Sequence, residues 1–277
     1  MLGLGLHPQM GLEVAVAKAY ARWMTEVVLP SHPSLRSMLY LPFNHPEESL
    51  TFVREFGEAP GVVGFMVTSV REQPVYHNKY MRLYAELEER GLPLAFHTST
   101  PWREPPFDVY DRLVSVYSLG SPLYDIVHLT NLVINGIFER FPRLRVVFLE
   151  VGISWLVFIM HRLNNEYMMR SSEAPLLKKR PSEYILESCY LSTQPLELIR
   201  NPAHLEAMFE MLRGSERFLY ASNYPSWDFD LPSRIYDLPF LTEQEKRQIL
   251  GGNAMRLFGL EDAVATLRRH ETSASKS

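Results

Sequence analysis

The chain has 277 residues, 46% of them hydrophobic and 22% charged, which suffices for one α/β domain with a sizeable core. A net charge of −4 and the lack of any Lys/Arg run argue against nucleic acid or an anionic membrane as partner. One cysteine, Cys189, excludes an intrachain disulfide and a multi-cysteine metal site.

The opening MLGLGLHPQMG has neither a basic region nor a long apolar one, so a signal peptide is not expected and the cytoplasm is the default. No stretch reaches the roughly 18 apolar residues that would span a bilayer. Apolar residues recur at helical spacing over residues 13–28, through Val14, Ala17, Tyr20, Met24 and Val28. Strands are expected at 37–42 (SMLYLP) and 62–67 (VVGFMV), and a helix over 78–90 that stops at Gly91. A third strand, 93–98 (PLAFHT), precedes a helix over 121–140, and a fourth, 145–150 (RVVFLE), precedes one over 153–168. The last strands are 190–194 (YLSTQ) and 218–223 (FLYASN), with a helix over 203–213 between them. Thr242 and Glu245 have the spacing of a capping box, and a short helix over 253–258 ends at Gly259. Several strands are apolar at consecutive positions, the pattern of parallel strands covered on both faces. Repeated βα units give either an open doubly wound sheet or a closed barrel. No compositional break divides 1–265, and the polar stretch 266–277 reads as a tail.

In α/β barrels the chemistry sits at the C-terminal ends of the strands. Three expected strands end in a polar residue after an apolar run: His97, Glu150 and Asn223; Gln194 ends a fourth. An imidazole, a carboxylate and an amide brought to equivalent ends suit a metal-assisted or acid–base reaction. Each has a structural alternative: a hydrogen-bonded His97, a helix-capping Glu150, a turn-forming Asn223. His128 reads as a core or surface position of a helix. Asp228 and Asp230, in SWDFD, could offer carboxylates to the cavity, but the simpler role is helix capping.

The segments GLPLAFHT, GIFERFPRLRVVFLEVGISWLVFIMHRLN, YLSTQP, FLYASNYPSWD and ILGGNAMRLFGL together resemble the amidohydrolase-related family, in the branch of aminocarboxymuconate-semialdehyde decarboxylase and other aromatic-acid decarboxylases. The resemblance runs over roughly residues 10–262. It implies a TIM-type (β/α)8 barrel holding one divalent metal, commonly zinc, and acting as a hydrolase or decarboxylase on a small carboxylated or cyclic substrate. Carried over position by position, it makes His97 a metal ligand and places Glu150 where the decarboxylases carry a catalytic His. Asn223 stands at the metal-binding Asp of a Ser-Asp-Tyr-Pro-His motif, so Ser226 stands at that motif's His. Trp155, at the start of the helix after Glu150, is a candidate wall of the substrate pocket, as is Ser226; packing is the alternative for Trp155.

Two departures narrow this expectation. The family's first strand carries a His-x-His pair with no counterpart here, and His7 is a lone imidazole in an expected loop. The first residues resemble the helix before the third barrel strand, so about six of eight strands are expected. Asn223 also replaces a carboxylate with a neutral amide, a poorer partner for a divalent cation. The metal site is therefore expected to be incomplete or empty, and a degenerate barrel serving as a binding protein is the alternative to an enzyme. Exposed sheet edges lead to the expectation of a homo-oligomer, or of a rearranged N-terminal segment that covers the gap.

Overall fold

The computed structural model describes residues 3–98, 109–197 and 199–261; the expected tail at 266–277 lies outside them. Six parallel strands lie side by side in chain order: β1 (Ser37–Tyr40), β2 (Val62–Val67), β3 (Leu94–His97), β4 (Val146–Leu149), β5 (Cys189–Ser192) and β6 (Phe218–Leu219). A doubly wound sheet reverses its strand order at a switch point. Strictly sequential order instead curls the sheet one way, which is the barrel arrangement, here with β1 and β6 as its edges.

The helices are α1 (Met10–Trp23), α2 (Pro46–Phe56), α3 (Met81–Arg90), α4 (Leu113–Ile134), α5 (Ile137–Arg140), α6 (Ser154–Met169), α7 (Pro181–Ser188), α8 (Pro202–Met211), α9 (Gly214–Arg217), α10 (Ser233–Tyr236), α11 (Glu243–Arg247) and α12 (Asn253–Leu257). The first expected helix is α1 continued by a π-helical turn, Met24–Val28. The expected helix at 121–140 is two pieces. α4 begins at Leu113 and runs through Pro122, and the chain turns at Gly136, whose φ of 69° is cheap only for glycine. Apart from β2, which fills its run, the strands are shorter than the apolar runs; His97 closes β3, whereas Glu150, Gln194 and Asn223 lie past the ends of β4, β5 and β6.

Alternation along the strands divides the interior. Leu39, Phe65, Phe96, Phe148, Leu191 and Phe218 point outward into one large core shared with the helices. Ala95, Val147, Tyr190 and Leu219 point the other way and form a small inner cluster, joined by Met38, Met66 and Leu149 and by Ala254 and Leu257 of α12. This two-sided burial is why the strands are apolar at consecutive positions.

The β1 side is closed over by the N-terminal segment. Ala17 and Ala21 of α1 are fully buried in the main core. Gly5 sits so close to the strand ends that a Cβ there would lie 2.3 Å from Ser69 Oγ. Buried Glu13 accepts from the Tyr40 hydroxyl at 2.7 Å and from Asn44 Nδ2 at 3.3 Å, with Asn44 also bonded to Gly5 O and Ser69 Oγ. A carboxylate, a phenol and an amide thus tie α1 and the first turn to the ends of β1 and β2.

Candidate functional site

His97 ends β3 on the inner face, two residues after Ala95. Its partner comes from β4. Leu149 faces inward, so alternation would send Glu150 outward to the helices. Instead Glu150 takes a left-handed φ of 55°, and its Oε1 lies 3.2 Å from His97 Nε2. A non-glycine residue in that region is strained, and such strain concentrates at functional positions. The backbone is held there by Glu150 N–H donating to Ser192 Oγ at 3.0 Å.

The His97 ring is fixed from both sides. Its Nδ1 is 2.8 Å from Thr98 O, a carbonyl that only accepts, so Nδ1 carries a hydrogen. The mobile proton is then the one between Nε2 and Glu150. Burial disfavours the charged imidazole, but the hydrogen bond and charge of Glu150, with the Thr98 carbonyl, outweigh it and raise the His97 pKa above its ordinary value.

Capping of α6, the structural role open to Glu150, falls to another residue. Glu197 accepts from the backbone N–H of Ile153 and Ser154 at 3.0 and 2.9 Å and from Ser154 Oγ at 2.5 Å. It packs so tightly that a Cβ on Gly152 would lie 2.6 Å from Glu197 Oε1. This leaves Glu150 free to face His97.

The β5 and β6 ends carry a second group. Gln194 is fully buried and donates through Nε2 to Asp228 O at 3.1 Å and Asp228 Oδ2 at 3.3 Å. Asn223, also left-handed with φ 55°, donates through Nδ2 to Asp228 Oδ1 at 3.2 Å. Ser192 Oγ, the acceptor for Glu150 N–H, donates to Gln194 O at 3.2 Å and so links the two groups. The loop is pinned by Asp230 N–H donating to Ser222 O and the Tyr220 hydroxyl donating to Asp230 O, both at 2.8 Å. Ser226 contributes its backbone, donating to Asn223 O at 2.8 Å.

Among the residues proposed from sequence, His97 and Glu150 meet, and Asn223 lies at the same end of the sheet. Trp155 packs in the core: it is buried edge-on against Phe148 and its indole N–H donates to Gly152 O at 3.1 Å. His7 accepts from Gln9 N–H in an exposed turn. His128 is buried, stacked on Phe96, with its pKa lowered to about 3 by burial. Sequence reasoning missed Glu197 and Glu13, and assigned Asp228 to capping. Cys189 is buried at the start of β5, and burial pushes its thiol well up, so it is not a nucleophile. A surface groove along Glu243, Arg247, Met255 and Arg256 lies elsewhere and holds no comparable convergence of groups.

A divalent cation finds only part of a donor set at this end of the sheet. His97 Nε2 and Glu150 Oε1 are spaced as two ligands of one cation would be, at bonds of about 2.1 Å. Beyond this pair the set fails. No group of three or more His, Cys, Asp and Glu side chains converges among the described residues, and Asn223 offers only an amide. A catalytic zinc site usually has three protein ligands. These residues alone do not fit a resident metal.

Comparison with known proteins agrees with the barrel. The family model described as amidohydrolase matches residues 11–260. The chain is 23% identical to the γ-resorcylate decarboxylase of Polaromonas sp. (strain JS666 / ATCC BAA-500), over 86% of this chain and 74% of that protein. It is 22% identical to the 2-amino-3-carboxymuconate-6-semialdehyde decarboxylase of Dictyostelium discoideum, over 94% of this chain and 70% of that one. The crystal structure of a dihydroxybenzoic acid decarboxylase from Polaromonas sp. JS666, with bound manganese and the inhibitor 2-nitroresorcinol, superposes with a TM-score of 0.72 at 20% identity, covering 91% of this chain and 77% of that one.

Proposed function

The chain belongs to the amidohydrolase family, in its decarboxylase branch, and on that premise we propose that it decarboxylates a small hydroxylated aromatic acid. The observation that carries the reading is the His97 Nε2–Glu150 Oε1 pair at adjacent strand ends. Decarboxylation breaks the bond from ring carbon to carboxylate, and the ring carbon must gain a proton. The Nε2 proton of His97 goes to that carbon, the carbon–carboxylate electron pair stays with the ring, and carbon dioxide leaves. Glu150 favours the protonated imidazole beforehand, and water restores the proton afterwards. A positioned acid of this kind contributes typically 10²–10⁴-fold.

Zinc is the ion that the resemblance leads to, and manganese accompanies a structural relative. The resemblance makes His97 and Asn223 its donors and the geometry adds only Glu150, so we propose that the purified chain holds such a cation weakly or not at all. A homo-oligomer and a cytoplasmic location belong to the same proposal. The sheet edge at β6 supports the first, and the single buried free cysteine supports the second.

The test is a panel of ortho-hydroxybenzoates and benzoate incubated with the purified protein, with and without added zinc or manganese. Carbon dioxide and the phenol product are measured. Wild-type turnover is expected, lower by roughly 100-fold or more in His97→Asn and Glu150→Gln. A folded wild-type protein that consumes no acid under any of these conditions rejects the reading.

A further inference from the structure

We infer that Asp228 is the residue that recognises the substrate's ring hydroxyl, with Gln194 and Asn223 as the positioning residues that aim it. The inference rests on the proposed aromatic-acid reading and assigns part of that site.

Both Asp228 oxygens are held from the protein side, Oδ1 by Asn223 Nδ2 at 3.2 Å and Oδ2 by Gln194 Nε2 at 3.3 Å. A carboxylate has about four acceptor positions, so two remain once the amides are counted. Aspartate in an exposed loop needs no such grip. Fixing it costs side-chain entropy, and both amides come from the ends of β5 and β6, where the candidate site lies. The backbone agrees: Asn223 takes a left-handed φ, and Gln194 donates to Asp228 O as well as to its carboxylate.

A second observation indicates what binds. Gln194 is 1% exposed, and its Oε1 is buried with no hydrogen-bond partner. A buried carbonyl left unpaired costs about 1–3 kcal/mol unless something donates to it. Both groups are therefore acceptors with capacity unused: a part-buried carboxylate with spare lone pairs and, behind it, a buried carbonyl with no donor. Such a surface takes a donor and repels an anion. It suits the hydroxyl or amino group of a substrate and excludes its carboxylate. A divalent cation is the other ligand of acceptor clusters, but Asp228 does not join His97 and Glu150 in a group of metal-ligand geometry. Tyr224, Trp227 and Phe229 stand exposed on the same loop, with Tyr224 and Phe229 edge to face at 6.0 Å, so the carboxylate is flanked by aromatic surface. A donor-bearing aromatic ring matches both features.

The experiment compares binding of resorcinol, which has two ring hydroxyls, with 1,3-dimethoxybenzene, which has none, by titration calorimetry. Wild type, Asp228→Asn and Asp228→Ala are titrated alongside the carbon dioxide assay, and thermal melts identify which variants are folded. Wild type is expected to prefer resorcinol by 10-fold or more, and Asp228→Ala to lose that preference while its affinity for the dimethoxy compound holds. Asp228→Asn should show a partial loss and serves if the alanine variant does not fold. A preference that survives both substitutions, or equal wild-type binding of the two compounds, overturns the role of Asp228 and leaves the decarboxylase reading intact. Aromatic acids turned over without measurable resorcinol binding have the same meaning. Neither binding nor turnover overturns both.

Discussion

At the scale of single residues, the site is three polar side chains placed at strand ends and then re-aimed by the backbone. His97, Glu150 and Asn223 could be named from sequence, because each follows an apolar run where a barrel puts its chemistry. The meeting of Glu150 with His97 was not readable from the run VVFLE, since alternation points Glu150 the wrong way. It depends on the left-handed φ of 55°, which a glutamate adopts only when its surroundings impose it. That strain is testable. Glu150→Gly removes the steric conflict together with the His97 partner, and is expected to raise the unfolding free energy by about 1 kcal/mol, seen as a higher urea midpoint, while abolishing activity. A variant destabilised by a similar amount would show that the His97 contact outweighs the strain. Glu197 escaped sequence reasoning for another reason. Its partners Ile153 and Ser154 lie more than forty residues away, and a loop carboxylate bears no mark of the helix it will cap.

At the scale of elements, α4 shows where sequence periodicity fails. Its first turns, LVSVYSLGSPL, have no clean amphipathic spacing, and Leu113, Val114, Tyr117 and Leu119 are exposed, so the helix begins eight residues before its expected start. Further along, the same helix buries Asp125 completely with neither carboxylate oxygen hydrogen-bonded. Burial raises its pKa well above the ordinary carboxylate range and so favours the protonated acid in the fold. An acid whose folded pKa is raised lends its stability below the unfolded pKa of about 3.9 and loses it as pH rises toward the folded value. Asp125→Leu should therefore stabilise the protein, by about 1–3 kcal/mol at neutral pH, with a smaller gain near pH 4. Urea unfolding of both proteins at the two pH values measures this, and His128, common to both, cancels in the difference. A gain that does not depend on pH would mean that Asp125 is ionised in the fold.

At the scale of the molecule, the sheet was the most legible feature, because apolar runs and chain order dictate it. All six expected strands are present and pair in sequence, and the family match over residues 11–260 agrees. The closure on the β1 side was less legible: the sequence led only to an oligomer or a covering segment. Gly5, Glu13 and Asn44 form such a cover, through contacts that bring together residues about 30–40 apart along the chain. The inner face stays thin, with Met38, Met66 and Leu149 only partly buried. The β6 edge remains as well, so self-association is still expected. Light scattering behind size exclusion should give a dimer or larger; a monodisperse monomer would show that the N-terminal cover suffices. The central claim is that this fold carries a decarboxylation site built on His97 and Glu150. Incubation with 2,6-dihydroxybenzoate in deuterated water, followed by proton NMR, tests it most directly. Resorcinol carrying one ring deuterium at the carbon that lost its carboxylate is expected, at a rate that collapses in Glu150→Gln. Unchanged substrate with folded wild-type protein, or an undiminished rate in the variant, would contradict it.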